Sequence, residues 1–158
     1  MEFPRKVGYV TGRLGTIRTD KRGGALVEFA VTLPLFLMLI TGIFSFSMAI
    51  YQKLELAEAV AAGGRVLAAD RGDTDPCKTT AAAIAASAPT LRSSGLTYSF
   101  SINGGTATGA TCTGSAGASN MLTGHTAMVS AGYPCSIQVY RFSFPGCALA
   151  STIMEQVQ

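Results

Sequence analysis

The chain has 158 residues, of which 48% are hydrophobic and 13% are charged, and its net charge is +3. This length leaves room for one small domain beside a membrane segment. The first 23 residues hold six basic and two acidic residues, so they carry +4 and the remainder carries −1. Because the basic residues are gathered at one end and no patch of basic and aromatic residues follows, the composition does not favour nucleic-acid binding.

The N-terminal residues 1–22 have scattered charge, several glycines and no hydrophobic period. They are expected to form a flexible leader, the first of three segments, which spans residues 1–23. Lys and Arg beside a spanning helix keep that flank in the cytoplasm. The leader is therefore predicted to stay inside and the C-terminal part to be exported.

An apolar run from Phe29 to Tyr51 contains no charged residue. As a helix of about 23 residues it would be about 34 Å long, which is enough to cross a bilayer core. Pro34 removes one backbone donor from this helix, which a membrane helix tolerates. A stripe of small residues at four-residue spacing allows helices to approach closely in lipid; its members are Thr41, Ser45 and Ala49.

Glu28 is a lone carboxylate at the start of this run. Charge is expensive in hydrocarbon, so the residue either lies at the headgroup level and stays hydrated or meets a cation. Cleavage between Gly23 and Gly24 would create such a cation, because Glu28 would become the fifth residue from a new α-amine. The amine of the same chain or of a neighbouring subunit would serve, and the positive end of the helix dipole would also favour the carboxylate.

This pattern is similar to the processing site of Tad-type (Flp-type) pilins, and residues 22–69 resemble the TadE-like family. The residues that carry the resemblance are Arg22-Gly23-Gly24-Ala25, Val27-Glu28-Phe29-Ala30, Leu33-Pro34, Gly42-Ile43, Tyr51-Gln52, Ala57 and Ala62-Gly63-Gly64-Arg65. The resemblance implies a minor pilin-like protein of the tight-adherence machinery in the bacterial inner membrane. It also implies cleavage by a prepilin peptidase, with other pilin-like subunits and Tad assembly proteins as partners and no cofactor.

The roles of four residues follow from the same resemblance. Gly23 and Gly24 would flank the cut, Glu28 would serve recognition or registry, and Phe29 would begin the apolar helix.

Two other interpretations stay open. A small-x-small sequence at Ser47-Met48-Ala49 would allow signal-peptide cleavage near Ala49 and release of a soluble, disulfide-bonded binding module. Against it, the apolar run is longer than the roughly 7–15 residues of a signal-peptide core. The third interpretation is a single-pass anchored protein that is never processed.

Beyond the span, the sequence predicts an α+β protein. The first helix is expected to continue over Gln52–Ala69 and end near Asp70, so that residues 24–70 form one helical segment. Close packing against a domain would explain Gly63-Gly64 inside this helix. A short second helix over Thr79–Ala88 would end before Pro89.

An antiparallel sheet of three to four strands completes the predicted extracytoplasmic domain, residues 71–158. Alternating side chains predict strands at Leu96–Ile102, Thr126–Tyr133 and Ser136–Phe144. Residues 147–158 fit a strand or a helix, and their alternation favours a strand. The Gly- and Thr-rich stretch Asn103–Asn120 is expected to be a loop tethered by Cys112.

Four cysteines lie in the predicted exported part: Cys77, Cys112, Cys135 and Cys147. An even number in a small extracytoplasmic domain indicates two disulfides, with three connectivities open. A hairpin closed at Pro145-Gly146 would hold Cys147 near Phe144 and away from Cys135, which argues against a Cys135–Cys147 bridge. A zinc site is poorly supported, since there is no Cys-x-x-Cys pair and only one histidine.

No catalytic constellation is evident, so the sequence predicts a protein that is not an enzyme. His125 lies in a Gly/Thr-rich loop. The acids Asp70, Asp73 and Asp75 could hold calcium weakly, but a hydrated turn without metal is favoured because the spacing lacks the glycine and the distal bidentate acid of known calcium loops.

Overall fold

The computed structural model describes residues 21–114 and 117–158, with side chains from residue 23 onward. Most of the predicted leader lies outside these residues. The chain forms two compact units, residues 1–35 and 36–158. In the first unit the described residues belong to helix α1 (Lys21–Ala69), and the second unit contains the rest of α1 and the remaining elements.

Helix α1 spans Lys21–Ala69 and ends just before Asp70, as the sequence predicted. From Gly23 onward the helix is long and apolar enough to cross a membrane. None of the residues in its most apolar stretch is buried among the described residues. Pro34 lies inside the helix. Many large apolar side chains of this stretch are exposed, as a lipid-facing helix requires.

Helix α2 spans Pro76–Ser87 and begins three residues earlier than predicted. Asp75 is its N-cap and accepts a hydrogen bond from the backbone N–H of Lys78 at 3.2 Å. Pro76 follows at the first helical position, where its missing N–H is no loss. The Asp-Pro pair therefore begins a helix here as well as ending the segment before it.

The main sheet is antiparallel, and its strands are β1 (Thr97–Ile102), β2 (Gly105–Thr108), β3 (Thr126–Pro134) and β6 (Ala148–Gln156). Their order in the sheet is β2-β1-β3-β6. β1, β3 and β6 confirm the predicted strands. β2 was missed, because the segment after Ile102 was interpreted as a loop from its composition.

A hairpin turn explains the missed strand. Asn103 and Gly104 connect β1 to β2 with φ angles of 47° and 82°. Two consecutive positive φ angles match the turn that suits the twist of a two-residue hairpin, and Asn-Gly is its strongest sequence signal. The sequence contains this Asn-Gly signal, but the low complexity of the residues that follow favours a loop.

A second, separate hairpin contains β4 (Ile137–Val139) and β5 (Phe142–Phe144). The sequence predicted one strand over Ser136–Phe144, and this prediction is wrong. The chain turns at Tyr140, whose φ is 55°, and Arg141. The alternating side-chain pattern continues across this turn, so the pattern alone does not reveal the turn.

The core lies between one face of the main sheet and the two helices, which gives the predicted α+β fold. Gly63 of α1 faces Ile84 of α2, and Gly64 faces Ile153 of β6. The largest fully buried side chains come from both helices and the sheet; they are Leu56, Val60, Leu67, Ile84, Phe100, Ile102 and Val129. The part of α1 beyond the apolar run is therefore a central element of the domain core.

The two adjacent glycines of α1 permit this packing. A Cβ added at Gly63 would lie 2.3 Å from Cγ1 of Ile84, and one at Gly64 would lie 2.6 Å from Cγ2 of Ile153. Both distances are far inside van der Waals contact, so any larger residue would push α2 or β6 away. The close packing expected at Gly63-Gly64 is confirmed.

We expect Gly63→Ala to lower the free energy of unfolding by about 1–3 kcal/mol, because overpacking outweighs the gain of about 1 kcal/mol in helix propensity. Thermal unfolding of the detergent-solubilised chain, followed by circular dichroism, measures the change. Gly42→Ala is the matched control, since its Cβ would lie 3.7 Å from Val139 in ordinary contact. A melting temperature that rises in Gly63→Ala would contradict the packing described here.

Candidate functional site

The predicted processing segment lies among the first described residues of α1, and its side chains are exposed. Gly23, Gly24, Glu28 and Phe29 are all exposed, and Phe29 retains 61% of its accessible surface. A Cβ added at either glycine would meet no atom within 4 Å. Nothing in the described part of the chain therefore blocks an approaching protein from this backbone.

Gly23, Gly24 and Glu28 all lie within helix α1, which is described from Lys21 onward. The side chain of Glu28 is exposed. The backbone carbonyl groups of Glu28 and Phe29 accept hydrogen bonds from Thr32 Oγ1 at 3.0 and 3.2 Å. These bonds give the hydroxyl of Thr32 partners within its own helix, where the run is apolar.

The stripe of small residues on α1 faces the β4–β5 hairpin. Ala49 is buried and Thr41 and Ser45 are partly buried. A Cβ at Gly42, beside Thr41, would lie 3.7 Å from the side chain of Val139. The face of α1 that we expected to admit a neighbouring helix thus holds a hairpin of the same chain.

Hydroxyl groups on this stripe bond the hairpin backbone. The N–H of Tyr140 donates to Thr41 Oγ1 at 3.2 Å, and Ser45 Oγ donates to the carbonyl of Gln138. Thr41 Oγ1 also donates to the carbonyl of Leu37 at 2.8 Å, since a hydroxyl can donate and accept at once. These contacts give two hydroxyl groups in the apolar run defined hydrogen-bond partners.

The cysteines form two disulfides, Cys77–Cys112 and Cys135–Cys147, with Cα atoms 5.4 and 5.1 Å apart. The first joins α2 to the segment after β2, which confirms Cys112 as a tether. Chain-entropy arguments assign about 4 kcal/mol to closing its longer loop and about 3 kcal/mol to closing the other.

The Cys135–Cys147 bridge corrects the sequence-based argument against it. β3 and β6 are paired as far as Pro134 and Ala148, so the next residue of each strand lies opposite the other. The β4–β5 hairpin is an excursion between them. Pro145-Gly146 forms a turn, as predicted, but it does not pair the strands on its two sides.

In the acidic turn, the carboxylates of Asp73 and Asp75 accept hydrogen bonds from neighbouring groups. Asp73 accepts from the hydroxyl of Thr79 and, at 3.3 Å, from the N–H of Asp75. Asp75 also accepts from the N–H of Cys112 at 3.0 Å. The hydrogen bond from Thr79 lowers the pKa of Asp73, whereas burial and the charge of Asp73 raise the pKa of Asp70.

Potential ligand atoms of Asp75, Cys77 and Cys112 lie within 4.8 Å of one another. Both sulfur atoms belong to a disulfide, so they offer no thiolate to a metal ion. The carboxylate of Asp75 is engaged by backbone N–H groups. This cluster stabilises the start of α2.

His125 is exposed, and its backbone fixes the end of β6. Its carbonyl accepts from the N–H of Val157 at 2.9 Å, and its N–H donates to the carbonyl of Leu122 at 3.1 Å. His125 therefore contributes to the fold through its backbone hydrogen bonds.

The hairpin that covers the stripe is the feature that sequence reasoning missed. Two signals pointed to it. Cys135 and Cys147 enclose the segment in the sequence. Its aromatic residues, Tyr140, Phe142 and Phe144, are exposed and do not belong to the buried core. A covalently closed segment with an apolar surface that the core does not use indicates a separate element.

Comparison with protein families identifies α1 as the recognisable part of the chain. Residues 23–65 match the family model described as TadE-like protein. Comparison with curated protein sequences and with solved structures gives no significant match. The match confirms the resemblance inferred from the residues: the matched segment is similar to TadE-like proteins. It lies in the helix that is long and apolar enough to cross a membrane.

Proposed function

We propose that this protein is a minor pilin-like subunit, or pseudopilin, that takes part in assembly of a Tad/Flp-type (type IVb) pilus. It is made as a precursor in the bacterial inner membrane, with its N-terminus in the cytoplasm and its C-terminal domain outside. A prepilin peptidase cuts between Gly23 and Gly24. Its role is structural: the apolar helix packs among other pilin-like subunits and Tad assembly proteins.

The observation that carries the proposal is the glycine pair and Glu28 at the start of an exposed apolar helix, inside the residues that match the TadE-like model. The exposed glycine backbone suits recognition by a peptidase. The basic residues before Gly23 suit a cytoplasmic flank. The two disulfides suit an oxidising compartment on the other side of the membrane.

The surface of α1 that the hairpin leaves free supports packing among subunits. Large apolar side chains are exposed around much of the helix between residues 26 and 50. Such a surface is stable in lipid and equally suited to a bundle of like helices. A soluble module would have to cover it.

Signal-peptide cleavage near Ala49 is the alternative that the hairpin contacts disfavour. It would remove Thr41 and Ser45, which bond the backbone of β4 and its turn. The hairpin would then lose its support on α1. An unprocessed single-pass anchor would keep these contacts and differs from the proposed protein only at its N-terminus.

N-terminal sequencing of the mature protein distinguishes the three interpretations. We expect Gly24 as the first residue, together with a decrease of about 2.5 kDa for a leader of roughly 23 residues. Cells that lack the prepilin peptidase are the control and should retain the precursor. A mature chain that begins near Ile50, or one that keeps Met1, would contradict the proposal.

Glu28→Leu tests the role of the carboxylate. If Glu28 neutralises the new α-amine of its own chain or a neighbour, its loss leaves a cation unpaired in an apolar surrounding. We expect about a ten-fold decrease in assembled subunits, which corresponds to about 1.4 kcal/mol. The assay compares the pilus fraction with the processed membrane pool.

Glu58→Leu is the matched control, because Glu58 is an exposed acid on the same helix outside the apolar run. It should assemble normally. Processed Glu28→Leu subunits that assemble at the wild-type level would exclude a registry role, whatever the outcome of the cleavage test.

A further inference from the structure

The exposure of helix α1 changes at one position. Every residue from 23 to 40 is exposed among the described residues. From Thr41 onward one side of the helix is covered, since Thr41, Gly42 and Ser45 are partly buried and Ala49 is buried. A helix that is apolar and uncovered on all sides is typical of a membrane span, whereas a helix with one covered side belongs to a folded domain.

The cover from Thr41 onward is the β4–β5 hairpin, whose turn lies at the level of Thr41. The N–H of Tyr140 donates to Thr41 Oγ1 at 3.2 Å, and Arg141 follows in the same turn. Further along the helix, Ser45 Oγ donates to the carbonyl of Gln138. The hairpin therefore runs beside α1 from its turn at Thr41 towards the rest of the domain.

Two features of the hairpin are incompatible with hydrocarbon. Arg141 in its turn is charged and exposed, and a charged side chain near the centre of a span is costly. β5 pairs with β4 alone among the described strands, so its outer edge has backbone groups without strand partners. An open sheet edge does not occur in contact with lipid, because each unpaired backbone group there is costly. Water or protein must therefore surround the hairpin.

We propose that the hydrocarbon core of the bilayer ends before Thr41, so that lipid surrounds residues 24–40 of α1 and the hairpin stands outside it. A span over the whole apolar run, residues 29–51, would instead place Thr41 near its middle with Arg141 beside it. Residues 24–40 form a helix of about 17 residues, the shortest length that crosses a bilayer core. This inference rests on the membrane anchoring of α1 but not on pilus assembly.

The apolar side chains beyond Thr41 do not outweigh the cost of the hairpin in lipid. On membrane-insertion scales, one arginine at mid-span costs as much as about five to ten large apolar side chains gain, and the open edge of β5 adds to that cost. The exposed apolar side chains in question are Ile43, Phe44, Phe46, Met48, Ile50, Phe142 and Phe144. Outside lipid, the packing among subunits proposed above would cover them.

Glu28 is the one acid within residues 24–40, which contain no basic residue. It lies about one helical turn from the N-terminal end of this span, so the headgroup region is close. Arg141 would have no such access near the middle of a span over residues 29–51. The shorter span is therefore compatible with the charges of the chain.

Tryptophan fluorescence tests the boundary, because the natural chain contains no tryptophan. Phe36 and Phe46 are a matched pair on α1, since they are 59% and 61% exposed and lie on opposite sides of Thr41. The full chain with Phe36→Trp or Phe46→Trp is reconstituted at low protein content into phosphatidylcholine vesicles with or without bromine on the acyl chains. Bromine quenches tryptophan on contact, so we expect about a two-fold loss of emission from Phe36→Trp and no loss from Phe46→Trp.

A second pair keeps the test decisive should either variant fold poorly. Leu35 and Phe44 are 73% and 68% exposed and also lie on opposite sides of the boundary. Leu35→Trp should be quenched and Phe44→Trp should not.

Three results would overturn the boundary. Equal quenching of Phe36→Trp and Phe46→Trp would show that lipid extends along α1 beside the hairpin. Quenching of Phe46→Trp alone would place the span on the wrong side of Thr41. Quenching of neither probe would overturn the membrane anchor as well as the boundary. These results are independent of pilus assembly, which N-terminal sequencing and Glu28→Leu test separately.

Discussion

The structure depends on one close contact, between the glycine pair of α1 and the elements that lie on it. Gly63 admits Ile84 and Gly64 admits Ile153, so α2 and β6 both reach the helix backbone. The helix that begins as an apolar surface thereby ends as the centre of a folded core. Because one continuous helix serves both purposes, the domain is attached to its anchor through its own core.

Helix α1 also supports the other end of the domain. The stripe of small residues on α1 supports the β4–β5 hairpin, and its hydroxyl groups bond the hairpin backbone. The disulfide at the hairpin base joins this excursion to the β3–β6 pair. The hairpin therefore has a defined position although it contributes nothing to the core cluster. This explains how an element with exposed aromatic residues can be structurally ordered.

The sequence predicted the long helix, its end near Asp70, the second helix and three strands, because periodicity and turn residues report local structure directly. It also indicated the packing at Gly63-Gly64, since paired glycines in a helix need a reason. It failed where a non-local pairing decided the outcome. The Cys135–Cys147 bridge follows from the register of β3 and β6, which no local pattern contains. The hairpin at Tyr140 was hidden because the alternation continued through the turn.

For the site, spacing and resemblance predicted a processing segment; the family match covers these residues, and cleavage stays a prediction. The partner of the small-residue stripe could not be predicted, because small residues on a helix accept a helix or a hairpin equally well. Hydrogen exchange of the full chain in detergent tests the central claim, that the later turns of α1 belong to the domain core. The account predicts that amides 56–68 of α1 exchange only with global unfolding, at the rate of amides 127–131 in β3. Early exchange of the helix amides while β3 stays protected would contradict it.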